Sequence, residues 1–107
     1  MATMVYYGEG VTMHPIIEKT FTMEQVIDIA TALDEIHIIW HDTPMSDQRK
    51  DVYLKTFAED RYMHYGRMMK AFAVIRRTHT GRLPTPGDIM KEFNAVSIHS
   101  LSAAERA

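Results

Sequence analysis

With 107 residues, a formal net charge of −2 and no cysteine, the chain has room for one domain. Disulfides, thiolate zinc sites and a cysteine nucleophile are excluded. Hydrophobic residues at 46% and charged residues at 24% are the balance of a globular protein rather than a disordered one, and the small net charge gives no general attraction to phosphate backbones.

No apolar run reaches the roughly 18 residues of a membrane span. Residues 1–5 lack the basic region and apolar stretch of a secretory leader. With the absence of cysteine, these features lead us to expect a soluble, cytoplasmic protein without membrane contact. Nine methionines read as adaptable core filler, with a re-packable partner surface as the alternative.

Residues 1–20 are weakly patterned. Tyr6-Tyr7-Gly8-Glu9-Gly10 reads as a turn-rich lead, and Pro15 opens a short turn of helix at Ile16–Lys19. Thr22-Met23-Glu24-Gln25 then has the form of a capping box. Behind it, Val26, Ile29, Ala30, Leu33, Ile36, His37 and Trp40 recur at spacings of three and four, predicting one face of a helix of about 18 residues. Asp42-Thr43-Pro44 ends it.

A second main helix is expected from about Ser46, its cap, to about Ala58, with Val52, Tyr53 and Phe57 on its apolar edge. Glu59-Asp60 reads as a corner in which Asp60 caps a third helix. Its buried stripe is Tyr62, Tyr65, Met68, Met69, Phe72 and Ile75, with Gly66 marking close packing. Thr78-His79-Thr80-Gly81 stops that helix, Gly81 suiting a left-handed cap. After Arg82-Leu83-Pro84, Thr85 caps a short helix from Pro86 that carries Ile89, Met90 and Phe93.

These elements predict an all-α fold: a compact bundle of three main helices plus a short closing helix after a proline-rich segment. Its divisions are a lead over 1–20, a helical domain over 21–94 and a flexible tail over 95–107.

The candidate chemistry is thin. His37 and His41 lie four apart, within reach of one metal on a helix, but nothing marks His14, His64, His79 or His99 as a third ligand. A hydrogen-bonded, partly buried histidine is the plainer reading, so no metal and no cofactor are expected. Asp28, Asp34 and Glu35 read as a solvated helix face. No serine elbow, phosphate-binding glycine loop or metalloprotease helix motif is present, and no catalytic residue is assigned.

Arg67, Lys70, Arg76, Arg77 and Arg82 concentrate positive charge on the third helix and the loop behind it. Arg76, Arg77 and Arg82 form a candidate edge for DNA or an acidic surface, although cations near a helix C-terminus also answer its dipole. Trp40 is read either as core or as an exposed anchor.

The order of features from residue 53 onward resembles a known family. Tyr53-Leu54-Lys55-Thr56-Phe57 precedes the Glu59-Asp60 corner, the helix from Tyr62 through Ala71-Phe72 to Ile75, and Gly81-Arg82-Leu83-Pro84-Thr85-Pro86-Gly87-Asp88-Ile89. This is similar to the small helical phage loaders and inhibitors of the replicative DNA helicase, over about residues 23–93. Leu83 stands where that family tends to carry phenylalanine, and Thr85 separates two prolines that it tends to place together.

The resemblance implies a non-catalytic phage or prophage replication accessory protein that binds the hexameric helicase and loads or inhibits it. A helical scaffold would present a C-terminal segment, with Ile98, Leu101 and Glu105 as the partner-binding residues. An origin-binding replication protein, or DNA at the basic edge, would be a further partner. The alternative reading is a small phage DNA-binding or regulatory protein that uses the basic edge alone.

Overall fold

A computed structural model of the chain describes residues 14–79, 81–96 and 101. It is all-helical, with α1 (Pro15–Thr20), α2 (Met23–His41), α3 (Asp47–Ala58), α4 (Tyr65–Thr78) and α5 (Pro86–Ala95). Three of these starts follow directly from local chemistry. The Thr22 hydroxyl accepts the Gln25 amide at 3.1 Å while the Gln25 side chain accepts the Thr22 amide at 3.0 Å. Ser46 caps α3, and Thr85 and Asp88 form a second capping box ahead of α5. Each box satisfies two backbone donors that a helix start otherwise leaves open.

Helices α2, α3, α5 and α4 pack in sequence and close a ring, since α3 meets both α2 and α5 while α4 meets both α2 and α5. Val26, Ile29, Leu33 and Ile36 enter it from α2, Leu54 and Phe57 from α3, Met68 and Phe72 from α4, and Ile89 and Phe93 from α5. Phe57 meets Phe72 edge-on at 6.1 Å and Tyr53 at 6.3 Å, geometries that aromatic quadrupoles favour. The Tyr53 hydroxyl donates to the Pro84 carbonyl at 2.6 Å, tying the proline segment to α3.

Several expectations shift. The helix expected after Pro15 is present, but it belongs to the packed body rather than to a loose lead: α1 packs on α3, Ile17 and the following Phe21 belong to the core, and the Thr20 hydroxyl reaches the Ala58 carbonyl at 3.3 Å. The third main helix begins at Tyr65 with His64 as its cap. Asp60 instead accepts the Tyr62 amide at 2.8 Å in the turn before it.

Tyr62, expected in the core, is therefore exposed, and so is Val52. Gly81 takes a left-handed φ of 92°, but α4 has already ended at an extended His79 cap. At the C-terminal end of α2 it is Asp42 that turns left-handed, with φ 59°; aspartate tolerates this better than most side chains.

Candidate interaction surface

The charged residues expected to face solvent on α2 prove to be cross-links. Asp34 accepts the Met45 amide at 3.1 Å and pairs with the almost fully buried Lys50 at 2.8 Å. Asp28 accepts the Tyr65 hydroxyl at 2.6 Å, and Glu35 pairs with Arg76 at 3.1 Å. Burial, followed by that bond to Asp28, pushes the Tyr65 phenol up to about 12, because both disfavour the phenolate.

Much of the basic edge is likewise paired, though Arg76 and Arg82 stay exposed. Arg76 is held by Glu35, and Arg82 pairs with Asp88 through both guanidinium nitrogens. The Arg82 guanidinium beside Asp88, with the Thr85 amide, holds that carboxyl well below the usual carboxylate range. Arg67 donates to the carbonyls of Val96 at 2.9 Å and Phe93 at 3.1 Å, its guanidinium lying 4.3 Å over the Phe93 ring. Arg76, Arg77 and Arg82 all remain on the surface, and Lys70 is half-buried. The edge therefore offers less free positive charge to a phosphate backbone than a tally of arginines implies.

His37 and His41 do come together, with ring centroids 4.7 Å apart. They line a shallow, open hollow of about 570 Å³ with Thr43, Pro44, Ser46 and Arg49. His37 Nδ1 lies 2.6 Å from the Thr43 carbonyl, which can only accept, so that nitrogen carries the proton. Its Nε2 faces the Arg49 guanidinium, which can only donate, at 3.4 Å. Both ring nitrogens are thus engaged within the protein. Trp40 is half-buried against the core, edge-on to His79 at 5.7 Å.

Among the expected partner-binding residues, Ile98 and Glu105 lie outside the described residues. Leu101 is packed in the core, 3% exposed, alongside Val96. The expected tail over 95–107 thus begins inside the body: Ala95 closes α5, and Val96 and Leu101 are buried by it.

What the surface does present is apolar area that the periodicity of the buried face conceals. Met23, Ile27, Ile38 and Ile39 of α2 are each about half exposed. Met23, Ile27 and Ile38 share one outer face with Thr31, whose hydroxyl turns back to the Ile27 carbonyl at 2.8 Å. The fourfold-plus spacing was visible in the sequence, but the stronger inward pattern beside it masked it.

Comparison with known proteins finds no matching family model, no matching curated protein and no matching solved structure. No helix among the described residues is long and apolar enough to cross a membrane.

Proposed function

We propose that this chain is a non-catalytic binding module, a phage or prophage replication accessory protein. It would engage the hexameric replicative helicase of its host cytoplasm and load or inhibit it. The resemblance of the segment from Tyr53 to Ile89 names the partner. The observation that supports a binding role is the half-exposed apolar face of α2 on a body whose buried polar side chains, among the described residues, all have partners. Apolar area rimmed by charge on a small protein is the mark of a contact surface.

The internal pairing of Arg76 and Arg82 favours this over the reading as a DNA-binding protein. Three basic side chains of the edge, Arg67 included, are committed to neighbours within the fold.

The test is light scattering after size exclusion on a mixture of the full chain and a purified host helicase hexamer. A co-eluting complex is the expected result. No complex at tens of micromolar, together with salt-sensitive binding to duplex DNA, overturns the proposal, because phosphate contacts weaken steeply with salt.

A further inference from the structure

The hollow between the end of α2 and the start of α3 is lined by His37, His41, Thr43, Pro44, Ser46 and Arg49, none of them acidic. The carboxylates of the flanking elements are directed elsewhere. Asp34 and Asp47 both lie against Lys50, at 2.8 and 3.9 Å. Asp42, in the left-handed cap beyond His41, does not line the hollow.

Arg49 differs from the arginines of the basic edge. Arg76 and Arg82 are each paired with a carboxylate, whereas no ion pair among the described residues includes Arg49. What holds its exposed guanidinium is His37, which is only 8% exposed. The Thr43 carbonyl keeps the His37 proton on Nδ1, so Nε2 is left to accept from Arg49 Nη1 at 3.4 Å. A guanidinium carries five N–H donors, and this contact uses one of them. A buried ring with both nitrogens committed thus anchors an uncompensated cation at the mouth of the hollow.

We infer that this hollow binds the phosphate group of a small phosphomonoester. Arg49 supplies the cation and a planar fork of donors suited to phosphate. The Ser46 oxygen accepts the Arg49 amide at 3.3 Å, which leaves its O–H free to donate outward. His41 carries an N–H in either tautomer and lines the same hollow.

Two considerations select this ligand. Three different donors converge, and a phosphomonoester offers three acceptor oxygens and close to two negative charges near neutral pH, where a carboxylate offers two oxygens and one charge. The hollow holds one arginine and no lysine, which suits a single phosphate; a nucleic-acid backbone is gripped through several at once. Its volume of about 570 Å³ is that of a small-molecule site, with space for the group that bears the phosphate.

The test is a titration of the ¹⁵N-labelled full chain with inorganic phosphate and with deoxyadenosine monophosphate, at an ionic strength held constant with sodium chloride. Both are expected to shift the signals of His41, Ser46 and Arg49 and to saturate with a Kd of about 1–10 mM. Acetate should shift them less and without saturating. Tighter binding of the nucleotide would identify a nucleotide as the source, and equal binding would show that the phosphate alone is recognised.

Arg49→Gln, an exposed change, should weaken phosphate about 10-fold while leaving the circular dichroism and the urea midpoint in place. It should also move the ¹⁵N resonance of His37 Nε2, which loses its donor. Lys91→Gln, an exposed change on α5, removes the same charge and should leave phosphate binding as it was. Shifts centred elsewhere, an equal response to acetate, equal weakening by Lys91→Gln, or an unmoved His37 Nε2 overturns the inference. So does the absence of a saturating response at tens of millimolar phosphate.

Discussion

Asp34 joins two helices by serving two donors at once, the backbone amide of Met45 and the ammonium of Lys50. Lys50 reaches this position because its aliphatic stem packs inward while its charge meets a carboxylate, which lowers the cost of burying an ammonium. Asp34→Ala leaves that ammonium unpaired and is expected to cost about 2–3 kcal/mol in urea unfolding. This is below the value for a fully buried pair because the Asp34 side chain is 30% exposed. Adding Lys50→Met should recover most of the loss, since the charge then no longer needs a partner. Additive losses would contradict that account.

Tyr65 gives the fold an alkaline sensitivity. Its folded pKa, about 12, lies above the ordinary value near 10. The contribution is therefore fully present below about pH 10 and is lost as pH rises through about 12. Between these limits the protein should lose stability more steeply than its Tyr65→Phe variant; equal slopes would show that the bond to Asp28 does not couple to folding. None of these links was legible in the sequence. Asp28, Asp34 and Glu35 have the spacing of a solvated face, and their partners Tyr65, Lys50 and Arg76 lie on other helices.

At the scale of the element, much was legible. Thr22, Ser46 and Thr85 mark helix starts because a hydroxyl placed ahead of an apolar repeat satisfies free amides locally, without tertiary help. Tyr62 was misplaced for an equally physical reason. It continues the repeat of Tyr65 and Met69, but the Asp60 turn holds it outside α4. The short helix after Pro15 was legible, but the burial of Ile17 and of the cap residue Phe21 was not, because six residues carry too little periodicity to show a face and the burial depends on α3.

Arg67 was read as part of a basic edge, yet it secures the end of α5 by a two-pronged contact and a ring stack. Lysine cannot reproduce the planar fork. Arg67→Lys is expected to destabilise the fold by about 1–2 kcal/mol and to speed amide exchange near Val96. Unchanged exchange there would remove the anchoring role.

At the scale of the whole molecule, the closed ring of α2, α3, α5 and α4 uses the inner face of each helix and leaves Met23, Ile27 and Ile38 about half exposed on the outer side of α2, beside Glu24, Asp28 and Glu35. The body also encloses Val96 and Leu101, so removing everything after Asn94 takes core residues with it. Loss of partner binding in such a truncation would report unfolding as readily as a lost contact. Point changes on α2 avoid this ambiguity.

The most direct measurement is methyl NMR of the isoleucine-labelled full chain, recorded with and without a saturating helicase hexamer. The account predicts that the Ile27 and Ile38 methyls shift or broaden differentially on the complex, beyond the interior Ile29 and Ile75. A complex in which Ile27 and Ile38 keep their free positions while Ile98 shifts would place the contact at the C-terminal segment, and would contradict the assignment of the α2 face.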